Sequence, residues 1–149
     1  MIKCRCDCGN IHTVSPRALR SGHTNSCGCL HISVGELKIK QLLDENNIPY
    51  EMEKTFDTCR SPFTNYPLRF DFFVNNSYLI EYDGKQHFEY SNNPSSWNNE
   101  YNFYQTQKND KIKNNYCFSH NIPIIRIPYN KLNEITIFDL IPETSKFLL

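Results

Sequence analysis

Apolar and polar positions follow two different periods along this chain, and the switches between them mark its elements. From Ser33 to about Asn46, the apolar residues Val34, Leu37, Leu42 and Leu43 recur at helical spacing. Ser33-Val-Gly-Glu36 spells a capping box, with Ser33 as N-cap and Glu36 at the third helical position. Asn46-Asn47 ends the run ahead of Pro49. Residues 50–56 alternate and predict a strand, and 57–66, rich in turn formers, predict a loop. Two more strands are expected at Leu68–Val74 and Tyr78–Asp83, joined by Asn75-Asn76-Ser77. Residues 89–99 are polar and read as a mobile surface loop. A helix with a thin apolar face is predicted over 100–119, ending at Asn121. The run "IPIIRIPY", 122–129, suits a buried strand, and a last helix is predicted over 130–141.

A helical segment between the strands 78–83 and 122–127 implies a crossover and a parallel pair. The body is therefore expected to be α/β, a mixed sheet of three to five strands flanked by helices. At 149 residues the chain has room for one core and a small appendage.

The cysteines locate that appendage. Five of the seven fall within residues 1–30: Cys4, Cys6, Cys8, Cys27 and Cys29. The expected division is 1–30 and 31–149. Two short thiolate knuckles with Gly9 and Gly28 suit a structural zinc site. Zinc takes four ligands, so one of the five is spare, and His12 is a possible substitute. A disulfide or redox role is the competing reading and needs an oxidising compartment. Cys59 and Cys117 are isolated and read as packing residues.

Charge adds a second asymmetry. The whole chain is formally neutral, which argues against a non-specific nucleic-acid coat protein. Yet residues 1–30 carry Lys3, Arg5, Arg17 and Arg20 against Asp7 alone. A basic head on a mildly acidic body suits a DNA-touching appendage on an enzyme whose carboxylates hold metal. No secretory leader and no membrane-length apolar run is evident, so a soluble, intracellular protein is expected.

The candidate chemistry sits on the 68–83 hairpin. A three-residue loop sets Asp71 directly opposite Glu81 on one face; a two-residue loop sends them to opposite faces. Like charges placed across a sheet destabilise it, and a bridging divalent cation resolves the repulsion. Asp83 follows on the face of Glu81, so three carboxylates are expected to converge, with Gln86 and His87 turning back toward them after Gly84. Hard oxygen donors at this spacing suit Mg²⁺ or Mn²⁺, and His87 suits general acid–base work. The bland alternative is a solvated strand face and a structural histidine.

The stretch "LRFDFFVNNSYLIEYDGKQHF" resembles the core of PD-(D/E)xK nucleases, within the branch of very-short-patch-repair endonucleases and phage homing endonucleases with an EDxHD site. The resemblance spans about 34–129, with "GELKIKQLLDENNIPYEMEKTF" matching the opening helix and strand and "NIPIIRIPY" the closing strand. It implies a restriction-endonuclease-like fold, Asp71 and Glu81 as metal ligands, His87 as the catalytic histidine, Glu36 as the helix glutamate and Asp110 as the last aspartate. The parent motif carries Lys where this chain has Asp83; Lys85, Gln86 or Lys113 are the candidates to replace it. Residues 4–10 and 21–29 resemble a zinc-binding module that accompanies such nucleases in phage and viral proteins.

These readings lead to a metal-dependent endonuclease acting on double-stranded DNA, of homing type or, alternatively, a repair nicking enzyme. Lys3, Arg5, Arg17 and Arg20, with Lys108, Lys111 and Lys113, are the expected phosphate contacts. Trp97 is either a wedge between bases or a residue packed on its own domain. The competing classes are a DNA-binding scaffold that has lost catalysis through Asp83, and a metal-stapled interaction protein.

Overall fold

The computed structural model describes residues 1–6, 11–27 and 32–143. The chain divides into two compact units, Met1–Val34 and Gly35–Leu149. In the first, β1 (Ile2–Arg5) and β2 (Ile11–Val14) form an antiparallel hairpin that sets Cys4 directly opposite His12. The short helix α1 (Pro16–Arg20) begins with proline, whose missing N–H would have no helical partner there. Its N-cap is Ser15, whose hydroxyl accepts the N–H of Ala18 at 3.2 Å.

The second unit runs α2 (Val34–Glu45), β3 (Tyr50–Arg60), β4 (Pro67–Val74), β5 (Tyr78–Asp83), α3 (Glu100–Ser119) and β6 (Ile124–Pro128). Its sheet has the order β3-β4-β5-β6, with the first two pairings antiparallel and β5–β6 parallel. The unit is α/β, a mixed four-stranded sheet flanked by helices. One apolar cluster joins Ile39 and Leu43 of α2 to Phe72, Val74 and Ile80. A second joins Cys117 of α3 to Cys59, Phe70 and Leu79. Among the described residues, no helix is long and apolar enough to cross a membrane.

The β4–β5 turn sets the register of the central strands. Asn75 and Asn76 both lie in the left-handed region, at φ of 51° and 50°, which asparagine tolerates better than most residues. The Ser77 N–H closes the turn on the Val74 carbonyl at 2.9 Å. The strands pair as Val74–Tyr78, Phe73–Leu79 and Phe72–Ile80, the register of the three-residue loop.

Three elements differ from the pattern-based expectation. Val34 and Leu37 are 79% and 54% exposed, and α2 instead buries Gly35, Ile39 and Leu43, the i, i+4, i+8 row. Gly35 explains the rotation: a Cβ there would lie 2.3 Å from the ring of Tyr82, so the glycine lets the helix settle on that ring. β3 runs on to Arg60, through an irregular pairing after Thr55, where a loop from residue 57 was expected. The last predicted helix is replaced by 3-10 turns at Tyr129–Lys131 and Ile137–Leu140. There Asp139 accepts the N–H of Thr136 at 2.7 Å, and the β-branched run Ile135-Thr136-Ile137 disfavours a continuous helix.

Gly35→Ala is expected to lower stability by about 1–3 kcal/mol, because the Tyr82 ring must leave its place. Thermal denaturation in a Tyr82→Ala background checks the cause: the alanine at 35 should cost much less once the ring is gone.

Candidate functional site

Glu81 and Asp83, two residues apart on β5, point to the same face. α3 presents Asp110, Lys113 and Cys117 at i, i+3 and i+7, so these too share one face. The two rows meet. Lys113 Nζ lies 2.7 Å from Glu81 Oε1, with side chains only 12% and 3% exposed. The ammonium also sits 5.2 Å from the centre of the Phe70 ring, a favourable cation–π distance.

Asp71 lies just past the end of the β4–β5 ladder. The ladder's last pair is Phe72–Ile80. Beyond it, the Asp71 carboxylate accepts the N–H of Tyr82 at 2.7 Å. Continuing the register by one step sets Asp71 against Glu81. Burial, then the Glu81 charge, push the Asp71 carboxyl up to about 8, and Glu36 adds to the rise while Lys113 and the Tyr82 N–H oppose it. Glu36, near the start of α2, is therefore within electrostatic reach of this pair.

A second knot surrounds Asp83. Arg126 Nη1 donates to Asp83 Oδ1 at 2.6 Å, and Arg126 Nη2 lies 3.6 Å from Asp110 Oδ1. His87 Nδ1 lies 2.7 Å from Asp110 Oδ2 and 3.7 Å from Asp83 Oδ1. Burial raises the Asp83 carboxyl above its ordinary range, against the pull of Arg126 and His87. With Asp110 accepting at Nδ1, the neutral His87 ring carries its proton there and leaves Nε2 as the basic nitrogen. The ring is also anchored through its backbone, since Gln107 Nε2 donates to the His87 carbonyl. Arg126 reaches this knot because β6 pairs in parallel with β5, Glu81 beside Arg126, and because Asn114 accepts its Nε–H at 2.9 Å.

The expected convergence of Asp71, Glu81 and Asp83 is therefore corrected to two adjacent groupings. Among the described residues, Asp83, His87 and Asp110 are the one set of three acidic, histidine or cysteine side chains whose donor atoms lie within 4.8 Å of one another. Asp83 is drawn away from the other two carboxylates by Arg126, a residue the pattern reading missed. A lone arginine inside the apolar run "IPIIRIPY" was the available signal, because a half-buried cation needs a carboxylate.

The remaining candidates fall elsewhere. Gln86 folds back over Gly84, where an added Cβ would meet its amide. Lys85 points to solvent and pairs with Glu89 at 3.4 Å. Lys108 and Lys111 are exposed on α3, and Lys3, Arg5, Arg17 and Arg20 are exposed on the first unit. Trp97 is 75% exposed rather than packed on its own domain. Cys59 and Cys117 are buried in the α3-side core, and burial pushes both thiols up, Cys117 to about 11.

Two ion sites can be tested against these donors. Asp71 and Glu81 fit a hard divalent cation: the strand register sets two carboxylates against one another, and burial, then the Glu81 charge, push the Asp71 carboxyl up. In the first unit, Cys4, Cys6, His12 and Cys27 line one hollow of about 130 Å³, but no three of their donor atoms lie within 4.8 Å of one another. Cys8 and Cys29 lie outside the described residues.

Compared with known proteins, the chain matches no family model, no curated protein and no solved structure.

Proposed function

We propose that this chain is a divalent-metal-dependent endonuclease acting on double-stranded DNA, with a restriction-endonuclease-like body and a zinc-binding head. The observation that carries the reading is the Lys113–Glu81 pair, 2.7 Å apart, on the strand face that the register sets against Asp71. A helix, three antiparallel strands, a helix and a parallel fourth strand, with the acidic residues at the end of the central pair, support the fold assignment.

Asp71 and Glu81 would hold Mg²⁺ or Mn²⁺. Such an ion lowers the pKa of bound water and offsets charge on the attacked phosphodiester. Lys113 stands beside the acidic pair and takes the position-independent part of the motif lysine, a cation at the reacting phosphate. His87 Nε2 takes or returns a proton, while Asp110 fixes the ring and its tautomer. Asp83, clamped by Arg126, ties β5 to β6 and helps to orient His87. Glu36 sets the charge around Asp71. Lys3, Arg5, Arg17 and Arg20 supply phosphate contacts from the head.

Purified protein with Mg²⁺ or Mn²⁺, on a plasmid library of varied sequence, should produce nicks or breaks that vanish in the Asp71→Ala, Glu81→Ala double variant. Binding without any cleavage would turn the reading into a DNA-binding scaffold, with Asp83 in the lysine position as its mark.

A further inference from the structure

α3 has a second face that the reaction does not use. Tyr101, Tyr104, Lys108, Lys111 and Phe118 follow at i, i+3, i+7, i+10 and i+17, which places them within about 100° of arc on one side of the helix. All five are exposed: Tyr101 by 62%, Tyr104 by 53% and Phe118 by 88%. Asp110 and Lys113, which serve the site, lie on the other side. Trp97, ahead of the helix, is 75% exposed, and its carbonyl is held by the side-chain amide of Asn102 in the first turn, on the side of the helix away from the stripe. Asn99 caps the same turn, accepting the Asn102 N–H at 3.0 Å.

Exposed aromatics in this number are costly on a surface facing only water, because each keeps a large apolar ring hydrated. Their order is informative. Two rings come first, then two cations, then a further ring. The axial rise places Tyr101 and Tyr104 about 4.5 Å apart and Lys108 about 6 Å beyond Tyr104. The acidic residues of α3 are Glu100, at its first position, and Asp110, turned to the site. Rings that accept a stacked base, interleaved with cations that accept a phosphate, match a single polynucleotide strand. A duplex keeps its base faces stacked inside and would use only the lysines.

We infer that this face of α3 binds an unpaired DNA strand, bases on Tyr101 and Tyr104 and phosphates on Lys108 and Lys111. The inference rests on the reading of the chain as a DNA endonuclease and narrows its substrate to DNA with a single-stranded segment, such as a flap, an overhang or a branch.

Binding is read by the fluorescence anisotropy of an end-labelled strand. The full-length protein, in Ca²⁺ to prevent cleavage, would be titrated with a mixed-sequence 20-nucleotide single strand, the matching duplex, and an abasic strand of equal charge. The single strand should bind tightest. Tyr101→Ala and Tyr104→Ala should each weaken it about tenfold, with duplex binding unchanged. Lys108→Gln with Lys111→Gln should reduce the salt dependence by about 0.7 per lysine in log–log slope. Duplex or abasic strand binding as tightly as the single strand, or neutral tyrosine variants, would overturn the inference. Cleavage of plain duplex that ignores the tyrosine variants would overturn it too, while leaving the endonuclease intact. Tyrosine-dependent binding of the single strand in a protein that cuts nothing would keep this face as a strand-binding surface and remove the endonuclease reading.

Discussion

Asp71→Asn is expected to raise the melting temperature of the metal-free chain at pH 8 while lowering metal-dependent cleavage at least about a hundredfold. The two effects share one cause. In the folded chain the Asp71 carboxyl is pushed up to about 8 by burial and by Glu81; in the unfolded chain it returns to its ordinary value near 3.8. Below about pH 4 both states hold the proton, and Asp71 costs nothing relative to asparagine. Between about pH 4 and 8 the unfolded chain has released the proton and the folded chain retains it, so stability falls as pH rises. The amide cannot ionise, and its oxygen still accepts the Tyr82 N–H. The variant should therefore match the parent at pH 4 and melt higher than it at pH 8. Mg²⁺ or Mn²⁺ should reverse that order. Cation binding displaces the retained proton, so the parent gains melting temperature more strongly at pH 8.5 than at pH 6, and the variant gains little. Scanning calorimetry at three pH values, with and without metal, checks every part. A parent whose metal-free stability is flat from pH 4 to 8 would remove the basis of the site.

The second large effect is expected from Lys113→Met. The methionine keeps the length and the contact with Phe70 but leaves Glu81, 3% exposed, without its cation. Removing one partner of a buried pair costs about 3–5 kcal/mol, because the other charge stays behind. For a chain of this size that corresponds to a fall of roughly 10 °C in melting temperature. Adding Glu81→Gln should recover most of the loss, since the stranded charge is then gone, and a double-mutant cycle measures the coupling. Divalent metal should rescue the Lys113→Met protein partly, by supplying charge where the lysine was. Cleavage should not return with stability, because the ion does not replace a cation beside the attacked phosphate. A loss of stability that metal leaves untouched would separate Lys113 from the proposed ion site.

What could be read from the chain followed distance along it. β5, Tyr78–Asp83, and α3, Glu100–Ser119, carry their own boundaries: Asp83-Gly84 ends the strand and Asn99 caps the helix. The register of Asp71 against Glu81 stayed open between a two- and a three-residue loop, and the left-handed backbone of Asn75 and Asn76 goes with the three-residue one. The face of α2 was not legible, because the residue that sets it is a glycine, and glycine carries no hydropathy signal toward Tyr82. The partners of Asp83 were also beyond reach. Arg126 is 43 residues away, and its approach depends on how β6 slides along β5. His87 and Asp110 were paired only through a family resemblance; the 2.7 Å contact between them depends on the rotation of α3, which a thin apolar face leaves poorly specified.

That rotation can be timed. Cys59 on β3 and Cys117 on α3 are each 1% exposed and lie in the cluster that the helix covers. As protonated thiols they are slow to react while covered, so each reaction with a thiol reagent records an excursion in which cover is lost. The same helix carries Asp110 and Lys113, so an excursion that lifts it from the sheet also takes both charges from their partners. The modification rate of two inert sulfurs is thus a clock for how often the candidate site comes apart, readable without substrate, metal or turnover.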